Sequence, residues 1–273
     1  MLNKIMSAVI LNGQELADKI KSDLAKKIFT LNKKPGLAVV LVGDNEASVS
    51  YIKRKEKACL EVGINFHKYL CPDNISEKEL AELIEFLNKD IDVDGILLQL
   101  PLPKGFETQA IIDLISKDKD VDGFFSSGAS EQVTPPTIAA IMELLKYTNE
   151  DLTSKKTLVI ANSDIYTAKL DKYLSVFGIA SVSRDSKIPD NCADYDIVII
   201  ALGQPNSLQK EMIKKEAIII DVGINKLNGQ IVGDADDSVK EVAAFVSPVP
   251  GGVGPLTVAC LLKNVLEINL KLN

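Results

Sequence analysis

The sequence predicts an α/β fold of two domains, each built on a doubly wound parallel sheet, and three observations carry that reading. Short, wholly apolar runs such as Leu37–Val42 suit strands covered on both faces. Between them lie stretches whose apolar residues recur three and four apart, the spacing of amphipathic helices, and regular alternation of the two favours right-handed crossovers between parallel strands. The alternation also occurs twice, interrupted by a Ser-, Gly- and Pro-rich segment from Gly123 to Pro136 that marks a linker or an active-site loop. A length of 273 residues accommodates two domains of roughly 150 residues each.

The first pattern begins with an amphipathic helix over Gln14–Phe29, where Leu16, Ile20, Leu24 and Ile28 share a face. Strand Leu37–Val42 follows and ends at the breaker Gly43-Asp44-Asn45, which opens a helix running to Val62 and stopping at Gly63. Ile64–Leu70 is a second strand. Ser76 and Glu79 form a capping box for a helix through Leu87. Gly95–Leu100 is a third strand, closed by Pro101-Leu102-Pro103. Thr108–Ile115 reads as helical, and Thr137–Tyr147 as a connecting helix.

The second pattern comprises strand Thr157–Ile160, helix Thr167–Phe177, a short strand over Ala180–Ser183, and strands Ile197–Ala201 and Ala217–Val222. Asn228-Gly229 within Lys226–Ile231 signals a tight hairpin. Phe245–Ser247 is a last short strand before Pro248-Val249-Pro250-Gly251-Gly252-Val253-Gly254-Pro255, and the final helix is expected over Leu256–Leu272.

Composition narrows the function classes. A net charge of −7 and a pI near 5.0 argue against nucleic acid or an anionic membrane surface as partner. Cys59, Cys71, Cys192 and Cys260 are scattered without a Cys-x-x-Cys pair, as in reduced thiols of an intracellular protein. With His67 the sole histidine, neither a histidine-rich metal site nor a Ser-His-Asp triad is expected, and His67 reads as a strand residue. The first eleven residues lack the pattern of a signal peptide, and no stretch is expected to reach the roughly 20 apolar residues of a bilayer span. The expected location is cytoplasmic.

Chemistry concentrates around Ser48-x-x-Tyr51-x-x-x-Lys55. Ser48, Tyr51 and Lys55 share one helix face near its start, where a phenol can orient an ammonium and partial burial can lower the lysine pKa. The alternative for Lys55 is a solvated position on a Lys- and Arg-rich helix. Gln99 interrupts an apolar strand at its carboxyl end, the edge where open α/β sheets build their sites, and a buried amide there needs partners. Lys55 is one; a loop carbonyl is the other. Asp122 is either one of the acids Asp118, Asp120 and Asp122 in a solvated run, or a carboxylate facing a crevice at the domain junction. The side-chain-poor loop around Pro250, Gly251 and Gly252 lets backbone approach a flat ligand, or simply turns the chain ahead of a helix.

Together these motifs resemble the bifunctional methylenetetrahydrofolate dehydrogenase/cyclohydrolase family. They are Val42-Gly43-Asp44 with Ser48-x-x-Tyr51-x-x-x-Lys55, Asp94 through Pro103, Lys119-Asp120-Val121-Asp122-Gly123, Asp221-Val222-Gly223-Ile224-Asn225, and Pro248 through Thr257. The resemblance covers nearly the whole chain. It implies a folate-binding catalytic domain over residues 1–120 with the C-terminal helix 256–273, and a Rossmann-like dinucleotide domain over 139–250. Lys55 would be the general acid/base, Gln99 would place it, and Tyr51 would pack on the folate. Ser48, Leu98, Leu100, Asp122, Pro250, Gly251 and Gly252 would complete the substrate site; Ala161, Asn162, Ser163 and Ile224 would touch the cofactor. Implied too are NADP, a tetrahydrofolate substrate and a homodimer, with no metal.

The second domain departs from the family at its phosphate-binding turn. Where the family carries Gly-Arg-Ser-x-x-Val-Gly-x-Pro, this chain reads Ala161-Asn162-Ser163-Asp164-Ile165-Tyr166-Thr167-Ala168-Lys169. Glycines there permit close approach to a pyrophosphate and an arginine suits a 2′-phosphate. Two readings are therefore open. In one, the nucleotide binds through Ser163, main-chain groups and Ile224, as NADP or as NAD with Asp185 on a ribose hydroxyl. In the other, the dinucleotide site is lost and a cyclohydrolase, or a folate-binding non-enzyme, remains.

Overall fold

The computed structural model describes residues 7–124, 133–176, 178–179 and 181–273, without the side chains of 164, 165 and 181–183. Most of the Gly123–Pro136 loop, Phe177, Ala180 and the first six residues, on which parts of the expectations rest, lie outside it.

The elements run β1 (Val9–Ile10), α1 (Gly13–Phe29), β2 (Gly36–Val42), α2 (Glu46–Val62), β3 (Asn65–Cys71), α3 (Glu77–Lys89), β4 (Gly95–Leu98) and α4 (Thr108–Ile112). They continue with α5 (Pro136–Tyr147), β5 (Lys156–Ala161), α6 (Asp164–Val176), β6 (Ser181–Asp185), β7 (Ile197–Ala201), β8 (Ile218–Asp221), β9 (Asn225–Leu227), β10 (Gln230–Val232), β11 (Phe245–Val246) and α7 (Val253–Leu272). Chain contacts divide them into two compact units: Ala17–Pro136 with Val258–Asn273, and Met1–Leu16 with Thr137–Thr257.

The first unit holds a parallel sheet of order β3-β2-β4. Every residue of β2 is buried, as a central strand with both faces covered requires. Leu37, Val39 and Leu41 face a core shared with α1, α2 and the later turns of α7. Ala38, Val40 and Val42 face the opposite core, under Leu80, Ile84 and Leu87 of α3 and Ile111 and Ile112 of α4. This is a three-layer α/β arrangement. The chain leaves β2 for β3 on one side and returns to β4 on the other, so its switch point lies at the carboxyl ends of β2 and β4.

The second unit holds an all-parallel six-stranded sheet of order β1-β11-β8-β7-β5-β6. Its switch point lies at the carboxyl ends of β5 and β7. The Asn228-Gly229 hairpin is present as antiparallel β9 and β10.

Several boundaries differ from expectation, each for a local reason. The segment ending at Leu16 groups with the second unit, not the first, because Val9 and Ile10 pair with Phe245 and Val246 as an edge strand; two residues are too short for periodicity to announce. The helix α2, by contrast, starts at Glu46 directly after the breaker, as expected, since Asn45 caps it by accepting the Ser48 N–H. The third strand ends at Leu98 and α4 at Ile112. α6 starts at Asp164 because Ser163 precedes it with a side chain that accepts the Tyr166 N–H. α7 starts at Val253, placing Pro255 in its first turn, where a missing N–H costs no hydrogen bond. That helix does reach the length and hydropathy of a bilayer span, contrary to expectation. Some 67% of its apolar window is buried inside the protein, which accounts for the apolarity.

Candidate functional site

The site of the first unit forms where α2 and the end of β4 meet at the switch point. α2 follows β2 directly, and Lys55 lies near its middle with only 5% of its surface exposed. Its Nζ donates to Gln99 Oε1 at 3.0 Å and sits over the Tyr51 ring, 4.6 Å from the centroid. The aromatic contact is thus with the ring face, a cation–π interaction, where the sequence suggested the hydroxyl. Gln99 lies one residue past β4. Its N–H extends the ladder to Val40 O at 2.8 Å, and its amide nitrogen donates to Leu100 O at 2.8 Å. Both ends of the side chain are therefore committed, and the oxygen is aimed at the ammonium.

Burial dominates the electrostatics. It lowers Lys55 to about 8, opposed by the Asp122 carboxylate, which favours the ammonium. The same effect raises Asp122 to about 6, opposed by Lys55. Tyr51 is pushed up to about 12 by burial and then by Asp122. An amine that changes protonation near pH 8 can exchange protons with a bound molecule under mild conditions. The solvated-lysine alternative does not hold.

Ser48 is buried beside this group and uses its N–H in the helix cap. Leu98 is buried at the end of β4, and Leu100 is 37% exposed next to a cis Leu100–Pro101 bond. Pro250, Gly251 and Gly252 belong to the other unit. There the Val249–Pro250 bond is cis, and a Cβ on Gly252 would lie 2.5 Å from Pro248 O. Gly251 O accepts the Gln14 N–H at 2.9 Å, so this loop is tied to the start of α1.

In the second unit, Ala161 is buried at the end of β5, and Asn162 and Ser163 are exposed just beyond it. The Asn162 amide donates to Leu202 O at 2.9 Å, bridging the loops after β5 and β7 across the switch point. Thr167, expected to crowd the turn, is 4% exposed and shares a helix face with buried Leu170 and Leu174, so it packs inward. Ile224 is 59% exposed after β8. Gly203, at φ +70°, has nothing within 4 Å of where a Cβ would stand, leaving open space beside the turn. Asp185 ends β6 opposite Ile160 and accepts the Lys187 N–H at 3.1 Å. An open carboxyl edge with the N-terminus of α6 beside it fits a dinucleotide.

Two residues to which the sequence assigned no role shape that edge. Asp234, fully buried, accepts from the N–H groups of Leu202, Gly203 and Gln204 at 2.6, 3.1 and 2.7 Å and from Asn225 Nδ2 at 2.9 Å. Asp221 accepts from Gly223, Asp234 and Ala235 N–H groups at 2.9, 3.1 and 2.8 Å. Glycine is required beside them: a Cβ on Gly223 would lie 2.3 Å from the Asp234 carboxyl carbon, and one on Gly233 would lie 1.9 Å from Asp221 Oδ2. The only sequence signal was a pair of acids, each beside glycines, at a strand end and after a hairpin. Among the described residues, no cluster of three His, Cys, Asp or Glu side chains could hold a metal ion.

Residues 11–122 match the model for the tetrahydrofolate dehydrogenase/cyclohydrolase catalytic domain, and residues 135–272 match that family's NAD(P)-binding domain. The bifunctional protein FolD of Acetivibrio thermocellus is 41% identical over 277 residues, covering 96% of this chain and 97% of its own. The bifunctional FolD enzyme of Campylobacter jejuni superposes with a TM-score of 0.89 at 39% identity, covering 97% of this chain and 100% of that one. The Trypanosoma brucei methylenetetrahydrofolate dehydrogenase-cyclohydrolase, solved with NADP and an inhibitor, superposes with a TM-score of 0.91 at 30% identity, covering 97% and 98%. With both of its halves matched in order and relatives at this identity across its length, the chain belongs to the tetrahydrofolate dehydrogenase/cyclohydrolase family.

Proposed function

We propose that this protein oxidises 5,10-methylenetetrahydrofolate to 5,10-methenyltetrahydrofolate with NADP and hydrolyses the product to 10-formyltetrahydrofolate, in one-carbon folate metabolism. The unit Ala17–Pro136 with Val258–Asn273 is the folate-binding catalytic domain, and the other unit is the dinucleotide domain. The observation that carries the reading is the buried Lys55 ammonium set between Gln99 Oε1 and the Tyr51 ring, with Asp122 acting on it electrostatically.

Each residue has a role that its surroundings suit. The methenyl group is a cation, so water loses a proton to neutral Lys55 as its oxygen bonds to the carbon; the ammonium then returns that proton to the ring nitrogen as its bond to that carbon breaks, and the remaining hydroxyl proton passes to solvent as the formyl carbonyl forms. Gln99 fixes the amine by accepting from it. Tyr51 offers a flat apolar face to the pterin, while Asp122 accepts N–H groups from the pterin edge. Leu98 and Leu100 present main-chain groups beside it, and Ser48 bounds the substrate on the same unit. A bound dinucleotide supplies the hydride acceptor, and the chain's part in that step is to position its partner. Asn162, Ser163, Gly203 and Ile224, with Ala161 behind them, would hold it at the sheet edge. The cytoplasm suits four cysteines that are all free thiols, and family membership supports a homodimer.

The decisive experiment uses purified protein, following the methenyl absorbance. Lys55→Met should reduce hydrolysis by about 10³-fold and leave dinucleotide binding, read by thermal shift, unchanged. A variant that hydrolyses at the wild-type rate would remove Lys55 from the chemistry.

A further inference from the structure

We infer that Asn264 and Asp120 are positioning residues for Asp122, together fixing the bend of chain that presents its carboxylate to Lys55. The inference rests on the reading of Lys55 and Asp122 given above.

Asn264 lies on α7 and is 4% exposed. Its amide nitrogen donates to Val121 O and to Thr134 O, each at 2.9 Å. One side chain thus ties together two carbonyls that flank the segment containing Asp122. From the other side, Asp120 Oδ1 accepts the N–H groups of Asp122 at 3.1 Å and Gly123 at 2.9 Å. Both polar atoms of the single peptide group that joins Val121 to Asp122 are therefore bonded: its carbonyl to Asn264 and its N–H to Asp120.

The bend has little freedom left. Gly123 sits at φ +68°, and a Cβ there would lie 3.1 Å from Val133 O and 3.3 Å from the Pro135 ring. Val121 is fully buried, with its side chain filling the space a Cβ on Gly95 would take. A primary amide has two N–H donors on one nitrogen, which is what bonding two carbonyls at once demands. Leucine has similar bulk and no donor. For Asp120, by contrast, a single accepting oxygen suffices, and asparagine keeps one.

The consequence reaches the lysine. The groups acting on Lys55 are Tyr51 and Cys59 from α2, Gln99 from beyond β4, and Asp122 from this bend; the carboxylate favours the ammonium. If the bend relaxes and Asp122 moves away, substrate loses a contact and the ammonium loses its counter-charge, so Lys55 gives up its proton at lower pH.

The test measures cyclohydrolase kcat, KM and pH profile on Asn264→Leu, Asp120→Ala, Asp120→Asn and Asp122→Asn proteins shown by circular dichroism to be folded. Asn264→Leu and Asp120→Ala should raise KM for the methenyl substrate about tenfold, the effect of roughly one lost charge-assisted hydrogen bond. Both should also move the pH–rate limb to lower pH, and Asp120→Asn should stay near wild type. If Asn264→Leu does not fold, the two Asp120 variants carry the test. Wild-type KM and pH limb in folded Asp120→Ala would overturn the proposal, as would Asp120→Asn failing as badly as Asp120→Ala. If Asp122→Asn itself changes neither quantity, the reading of Asp122 falls and the proposal with it. If Asp122→Asn changes both while the other variants change neither, only the positioning role falls.

Discussion

The two units solve one problem in opposite ways. Each is a parallel sheet with its site at the carboxyl edge where strand order reverses. In the catalytic unit the chemistry sits in side chains: an amine, an amide, an aromatic ring and a carboxylate, three of them on or directly after regular elements. In the dinucleotide unit the edge is shaped by backbone, with Asp221 and Asp234 collecting seven hydrogen bonds from loops that then present main chain outward. A side-chain site constrains residue identity, because only lysine supplies a titratable amine. A backbone site constrains the supports and leaves the presented residues freer: the carboxylates hold the loops after β7 and β8, and Asn162, where the family has arginine, ties the turn after β5 to the first of these through Leu202 O. Thr167 packing inward belongs to the same pattern.

The largest effect expected from this contrast is in pH. Hydrolysis depends on the neutral amine of Lys55, whose proton leaves near pH 8, so the rate should rise about tenfold per pH unit below that point. Below about 6 the slope should steepen as Asp122 takes up a proton and no longer binds substrate. Dinucleotide binding should show neither inflection. A flat pH–rate profile between 6 and 8 would break the assignment of the base.

The next effect probes the backbone side. Asp234→Asn replaces one accepting oxygen with a donor facing two N–H groups, which should weaken dinucleotide binding about tenfold, by loss of roughly one or two buried hydrogen bonds. Hydrolysis of methenyl substrate by the folded variant should be unchanged. Titration calorimetry with NADP and NAD checks the first, and loss of hydrolysis in proportion to loss of nucleotide binding would show that the two sites are not separable.

The smallest effect concerns the turn itself. Ser163→Ala removes the oxygen that accepts the Tyr166 N–H at 3.3 Å, and should cost about 1 kcal/mol of stability. Its effect on nucleotide affinity should stay within about threefold, since main chain does the presenting. Thermal unfolding and the same titration measure both, and a larger loss of affinity would give the Ser163 hydroxyl a direct role.

The Lys55 constellation was legible because its members carry local signals: a helix spacing of four between Tyr51 and Lys55, an amide breaking an apolar strand at Gln99, an acid beside the glycine that turns the chain at 123. Periodicity likewise gave the alternating elements, since burial on both faces of a parallel sheet writes itself into runs such as Leu37–Val42. The exchange of the first sixteen residues into the second unit and the paired hydrogen bonds from Asn264 had no such signal, and the Asp221–Asp234 support showed only as two acids near glycines. Val9 and Ile10 pair with residues 236 positions along the chain, and Asn264 reaches carbonyls 130 and 143 positions away.

By itself, then, the sequence determined the twice-repeated alternation of strands and helices, the family, and the side chains that carry acid–base chemistry. Tertiary structure alone decided that Lys55 is buried, that it faces the ring of Tyr51 and not its hydroxyl, and which distant groups hold the loops. The physical reason is range. Periodicity and capping act over a few residues, whereas desolvation and the choice of hydrogen-bond partner depend on what the folded chain brings alongside.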